Sequence, residues 1–380
     1  MSKLRIVAAS LLLALTICPA HASVEATLDL LPTGSSEIAV AIKYTNNGAH
    51  PASIRAADIP QTMPDGRLWN NAFHVVSSTG EVARYTGVIV NLTMEARSEV
   101  LTLQPGQVEI VQVNISSNYL LEPDTDYELT PRGFEQSPLP DPSAGQSAGS
   151  PTAPPVFTSP PTLRVRTGPR TMGIDNSAGL KNRSPEAACS PDKILAVAAA
   201  MSASAKLARD ARDYVEGLYG LDLSPEGGNV TFNQTPRYTT WFGLHGDPNV
   251  SSTINSRIRK VLGATADRYG LLSPASCDCE GPSAEKVIAW VDPDSAHVIN
   301  YCPRFFELPV GPGIELGSKA RTIYHEVSHF NDFLGKGTQD YEAAFALPSE
   351  ARYLARTARD VASDHAYGYE YFADNLDSQN

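Results

Sequence analysis

The chain has little of two things: long apolar runs and positive charge. Beyond its first residues, no stretch is apolar for the roughly 20 residues that a spanning helix needs, which excludes a helical membrane protein. Lys and Arg number 30 against 42 Asp and Glu, for a formal net charge of −12. That balance excludes a nucleic-acid binder, which needs a basic face to meet phosphates. Cysteine is scarce, at 5 in 380 residues. Hydrophobic residues are plentiful at 42%, so the chain can build packed cores and is not disordered along its length. The length suits two or three domains at roughly 150 residues each.

The N-terminus reads as a signal peptide over residues 1–22. Lys3 and Arg5 give it a positive start, and Ile6 to Ile17 form an apolar run too short to span a bilayer. Ala20-His21-Ala22 supplies a small-x-small cleavage pattern, so the mature chain is expected to start at Ser23 and to be secreted. Cys18 leaves with the signal. Cys189, Cys277, Cys279 and Cys302 remain, an even set that suggests two disulfides in an oxidising compartment. Cys277 with Cys279 would close a very tight ring, which favours the two long-range pairings and leaves both open. A zinc cluster fits the C-x-C spacing poorly.

Residues 23–135 read as all-β. Ile38, Val40, Ile42 and Tyr44 alternate with polar or small neighbours, and Val108 to Val113 is β-branched after the turn signal Pro105-Gly106. An immunoglobulin-like sandwich is expected there. Residues 136–180 read as a linker, crowded with Pro, Ser, Gly and Ala. Arg164, Arg166, Arg170 and Lys181 make it a candidate processing region, with residues 23–135 as a propeptide or, alternatively, a permanent binding module. Residues 181–380 read as an α+β domain. Ser190-Pro191-Asp192 starts a helix expected to run to about Tyr219, and Ser251 to Leu271 is a second. Lys286 to Val291 and His297 to Tyr301 read as strands. Asn91, Asn114, Asn229 and Asn249 each begin an Asn-x-Ser/Thr triplet that fits a glycosylation acceptor.

His325-Glu326-Val327-Ser328-His329 is an H-E-x-x-H pattern inside Lys319 to Leu334, a stretch with no Pro or Gly. Residues four apart on a helix lie one turn above each other, so two imidazoles can grip one zinc ion, and Glu326 beside the first can serve as general base. A third protein ligand is required, with a fourth position left open for water. Gly335 stands where a metzincin would carry a third histidine. Glu350, on a following helix, and Asp340, after the turn that Gly335 and Gly337 allow, are the candidates. His365 reads as a surface residue, while Trp241 and Tyr238 read as core. His74, His245 and His297 stand alone.

H-E-x-x-H followed by Gly337-Thr338-Gln339-Asp340 resembles the aspzincins, the deuterolysin family, and within it the peptidyl-Lys metalloendopeptidases. Pro236-Arg237-Tyr238-Thr239-Thr240-Trp241-Phe242-Gly243, Cys277-Asp278-Cys279 and Glu370-Tyr371-Phe372-Ala373 add to the likeness, which covers about residues 186–376. The resemblance implies a zincin-like α+β metallopeptidase domain holding one zinc through His325, His329 and Asp340, with Glu326 as base. It implies disulfides Cys189–Cys277 and Cys279–Cys302, protein or peptide substrates, and a lysine side chain received by Glu370 and a second acid. Two positions depart. Ala343 and Ala344 stand where the family pattern has tyrosine and glycine, which leaves Tyr341, Tyr367 or Tyr369 to replace an oxyanion donor. Tyr367 takes the aspartate's place in the lysine pocket, and the nearest acid is Asp364. A monomer with no partner beyond substrate and its own propeptide is expected. The alternative is a secreted adhesion or toxin-like protein holding zinc structurally.

Overall fold

The computed structural model describes residues 24–33, 37–138, 156–158, 161–169, 189–221, 230–244, 248–277, 279, 284–295, 297–311, 317–341 and 346–375. The signal segment, His245, Arg170, Lys181, Ala343 and Ala344 lie outside them.

The N-terminal region is rich in short antiparallel strands. Ala39–Asn46 pairs with Val24–Leu31 on one side and Val108–Asn114 on the other. Asp126–Pro131 lies between Phe73–Ser77 and Leu163–Arg166. Ala52–Arg55 lies between Val100–Leu103 and Phe134–Pro138, which Val156–Thr158 extends. The alternation seen in the sequence sends Val40, Ile42 and Tyr44 inward, where Tyr44 meets Phe134 edge-on at 5.3 Å. A 3-10 turn at Ala56–Asp58 and a helix at Met94–Ser98 interrupt the strands.

The stretch read as linker carries two strands. Val165 is buried, which explains why the chain stays on the sheet. Arg164 and Arg166 point outward and pair with Glu128 and Asp126 across the strand boundary. They are thus strand residues with partners, not a free basic stretch.

The C-terminal region is mostly helical. Pro191–Glu216 buries Val197, Ala200, Ser204, Leu207, Ala208, Ala211 and Val215, all but one step being of three or four residues, against Lys319–Ser328 and Pro248–Arg268. It ends earlier than expected, because Tyr219–Leu221 leaves the helix to pair with Val230–Phe232. Trp241, Tyr238 and Phe242 are buried, as the sequence indicated, and Phe242 packs on Phe372 of the final helix, Ala366–Asp374. The cysteines join as Cys189–Cys277 and Cys279–Cys302. Among the described residues no helix is long and apolar enough to cross a membrane.

The two regions share a sheet and a core. Ile89–Leu92 of the N-terminal region pairs antiparallel with Val287–Val291, which pairs in turn with Ile299–Tyr301. One apolar cluster runs from Ile42, Phe73 and Leu129 through to Ala289, Ile323, Val327 and Phe330.

Candidate metal centre

The helix Lys319–Ser328 begins with Ser318, whose side chain accepts a hydrogen bond from the Arg321 amide. It is wholly buried, and it stops at His329 rather than running on to Leu334. The reason lies in the next turn. Asp332 accepts hydrogen bonds from the amides of Leu334 and Gly335, at 2.9 and 3.2 Å, which closes a tight reversal. Arg268, fully buried, grips both Asp332 oxygens at 2.8 and 3.2 Å and donates to the Gly335 carbonyl at 2.9 Å. His297 adds a contact to Asp332 at 2.8 Å. The returning chain then passes so close to the helix end that a Cβ at Gly337 would lie 1.9 Å from the His329 carbonyl oxygen. Only glycine fits there.

That return brings Asp340 over the two histidines. Asp340 Oδ2 is 3.1 Å from His325 Nε2 and 3.7 Å from His329 Nε2. The ligand atoms of His325, His329 and Asp340 lie within 4.8 Å of one another. The opposite ring nitrogens are committed elsewhere. His329 Nδ1 donates to the Thr338 carbonyl at 3.0 Å, and His325 Nδ1 donates to the Glu370 carboxylate at 3.1 Å. Both Nε2 atoms therefore face one shared space, with their tautomers set from behind. His329 Nε2 and Asp340 Oδ1 are buried there without a hydrogen-bond partner. Two imidazoles and a carboxylate with orphaned, converging atoms suit a divalent cation of zinc type. The backbone just before Asp340 is held too: Gln339 N–H donates to the Asp364 carbonyl, and the Gln339 carbonyl accepts from the Ala366 amide.

The charges agree with such a site. Burial pushes His325 down, but Asp340 and Glu370 outweigh it and raise the imidazole to about 10. Burial dominates at His329 and lowers it to about 4. Burial works against ionised Asp340, yet the two imidazoles hold its carboxyl well below the usual range. The group thus keeps a buried carboxylate by holding positive charge beside it, a place that a metal cation can fill. Glu326 lies next to this set, fully buried, with the Asn91 side chain beside its carboxyl and no closer hydrogen bond to either oxygen. Burial raises it to about 8.

The aspzincin profile, described as lysine-specific metallo-endopeptidase, matches residues 229–374. A peptidyl-Lys metalloendopeptidase of Pleurotus ostreatus is 32% identical over 147 residues, covering 39% of this chain and 78% of that protein. The chain belongs to the aspzincin family. An extracellular protease of Aeromonas hydrophila is 25% identical over 368 residues, with 94% of both chains covered. A solved zinc peptidase from Grifola frondosa is 28% identical with a TM-score of 0.40, covering 50% of this chain and 100% of that one. This aspzincin is accordingly a zinc metalloendopeptidase.

The remaining residues singled out in the sequence fall into two groups. Glu370 comes to the metal set: it bridges His325 Nδ1 and Arg321, whose Nε and Nη2 lie 2.9 and 2.7 Å from Oε1. It therefore orients a histidine. Asp364 is held by Arg257 at 2.5 Å and the Tyr341 hydroxyl at 2.7 Å, not beside Glu370's partners. Glu350, the alternative third ligand, accepts from the Leu347 amide at the start of Pro348–Thr357 and is not in the metal-binding group. His365 is buried beside Tyr367, so the surface reading is wrong, although it is not one of the three converging ligands. Asn91 is also buried, on the strand beside Glu326, which removes it as an accessible glycosylation acceptor. Of the three tyrosines that could replace the absent one, Tyr341 donates to Asp364 and Tyr369 to the Ser363 carbonyl. The Tyr367 ring lies 4.4 Å from that of His325. In one dimension Arg268 is an ordinary helix arginine. Its clue was Asp332 three residues after His329, an Asx-type turn residue.

Proposed function

We propose that this aspzincin is secreted as a preproenzyme and cleaves proteins at internal bonds, preferring those on the N-terminal side of lysine, with His325, His329 and Asp340 as zinc ligands and Glu326 as general base. The observation that carries the ligand assignment is the convergence of two buried Nε2 atoms and the Asp340 carboxylate on one space. Zinc bound there supplies Lewis acidity, polarising the scissile carbonyl and making a water acidic near neutral pH. Glu326 then takes the proton of the attacking water and hands it to the leaving amine. Its ionised carboxylate is the form that takes the first proton; in the covered chain burial raises that carboxyl to about 8. Glu370 fixes the His325 tautomer, and Thr338 does the same for His329.

Lysine preference draws support from Tyr367 and Glu370. The Tyr367 face already holds a guanidinium, that of Arg97, at 4.6 Å, so it accepts a cation. Arg321 and His325 hold Glu370 in its charged form against burial. Secretion draws support from the signal-like N-terminus and from the name of the Aeromonas relative. The strand-rich region, which we read as an immunoglobulin-like sandwich, serves as the propeptide, with processing between Arg166 and Cys189.

The decisive variant is Glu326→Gln. We expect zinc to stay bound while hydrolysis of a lysine-containing peptide falls by about 10² to 10⁴. Undiminished hydrolysis would remove Glu326 from the mechanism. Mapping the cuts in a denatured protein tests the preference, and an even spread over all residue types would end it.

A further inference from the structure

His325, Glu326 and His329 are each 0% exposed. A polypeptide cannot reach a site in that state, so something covers it. Among the described residues, the part of the cover that lies against Glu326 and Tyr367 is the stretch Ile89–Arg97. Ile89, Val90, Asn91 and Leu92 run antiparallel along Val291, Trp290, Ala289 and Val287, with a register shift between Val287 and Ala289. The pairing continues past the strand, where the Thr93 amide donates to the Lys286 carbonyl at 2.8 Å. Val90 and Leu92 pack with Val287, Trp290 and Cys302. Within this ladder Asn91 faces the reacting groups. Its side chain lies against Glu326, and its Oδ1 is 3.4 Å from the Tyr367 hydroxyl.

Arg97, on the short helix that follows, closes the arrangement. Its Nη2 donates to Asn91 Oδ1 at 2.7 Å and to the Tyr367 hydroxyl. Its guanidinium stacks on the Tyr367 ring, 4.6 Å from the ring centre.

We propose that Ile89–Leu92 is a built-in substitute for an extended peptide, added as a strand to the edge of Val287–Val291 opposite Ile299–Tyr301, and that Arg97 locks it there by placing a cation on Tyr367 beside the metal-binding histidines. The edge then serves two occupants in turn. In the intact chain it holds its own residues 89–92 and the enzyme is latent. When the N-terminal region leaves, the same backbone row and the same cation-accepting ring are free for a substrate strand carrying a basic side chain. The inference rests on the zinc-peptidase reading and adds to it the segment that silences the site.

The test uses the full chain, intact or cut between residues 170 and 188 with the N-terminal part removed, and reads hydrolysis of a lysine-containing fluorogenic peptide. The intact chain should be silent and the cut chain active. Arg97→Ala in the intact chain should raise hydrolysis at least about tenfold, because two charge-assisted contacts that favour the closed state are lost. Arg97→Lys, which keeps the cation, should retain most of the latency. Hydrogen exchange at the amides of Val287–Val291 gives a second readout and should quicken in Arg97→Ala. An intact parent as active as the cut chain would overturn the inference, as would an Arg97→Ala chain whose edge strand is no faster to exchange and whose activity does not rise. Silence of every form, in a cut chain that still unfolds cooperatively and binds zinc, would instead strike the zinc-peptidase reading itself.

Discussion

Both regions of this chain bury apolar clusters, but among the described residues only the C-terminal one adds a large network of buried ionisable groups. The N-terminal strands bury Ile42, Ile54, Leu68, Leu103 and Leu129 with little ionisable company. The C-terminal helices bury Arg268, Arg321, His325, Glu326, His329, Asp340, Asp364, His365 and Glu370, nearly all within one network around the motif helix. An apolar interior is stabilised by area and filling, and its parts can be exchanged for others of similar volume. A charged interior is stabilised only while every partner is in place, because a buried charge that loses its partner is costly. The second kind is therefore a poor way to gain stability and a good way to fix where a few atoms point. That is what a metal centre requires.

The contrast can be broken most severely at Gly337. Substitution by alanine places a Cβ 1.9 Å from the His329 carbonyl oxygen, so the turn must open and carry Asp340 away. We expect a loss above about 4 kcal/mol, measured by denaturant unfolding, together with loss of bound zinc. A variant that folds with parental stability and full zinc content would show that the return path is not tightly constrained. Next is Arg268→Ala, which takes from Asp332 the buried guanidinium that grips both its oxygens. A cost of about 3–5 kcal/mol is expected, with weakened zinc affinity because the same turn delivers Asp340. Replacing an apolar residue of similar burial, Ile54→Ala, should cost about 2–5 kcal/mol yet leave the zinc stoichiometry of the folded protein unchanged. If Ile54→Ala lowers zinc content as much as Arg268→Ala does, the two interiors are not distinct in the way described.

Acid provides the mildest distinction. Burial opposes ionised Asp332, but its bonds to Arg268 and His297 prevail and lower it from 3.8 to about 2. A carboxyl whose folded value is depressed contributes stability that is complete above its unfolded value and lost as the pH falls toward its folded one. Stability from this turn should thus fade between about pH 4 and pH 2. Asp332→Asn should flatten that part of the pH profile, measured by thermal unfolding, and an unaltered slope would remove Asp332 as its source.

How much of this was legible in one dimension follows from the range of each interaction. The convergence of His325, His329 and Asp340 was readable because two of them share one helical turn and the third follows after a short glycine-bearing turn. The apolar spacing of Pro191–Glu216 was readable for the same local reason. Cysteine pairing was not open to spacing alone, and the resemblance supplied the pairing that the structure forms. Long-range events were invisible. Nothing near Ile89–Leu92 reveals that its partner strand lies about two hundred residues further on. Composition hid Leu163–Arg166 in a Pro- and Ser-rich stretch, although tertiary pairing with Asp126–Leu129 decides its conformation. Glu370 was noticed as an acid that could meet a substrate, whereas its contacts to Arg321 and His325 exist only once the final helix lies against the motif helix. His365 was misread because its burial depends on that same packing.

The measurement closest to the central claim is zinc content and coordination in the purified chain and in Asp340→Ala, by elemental analysis with X-ray absorption at the zinc edge. The ligand assignment predicts one zinc per chain, bound through two imidazole nitrogens and a carboxylate oxygen, and a large loss of affinity in Asp340→Ala. Zinc retained in Asp340→Ala with an unchanged absorption spectrum would contradict it.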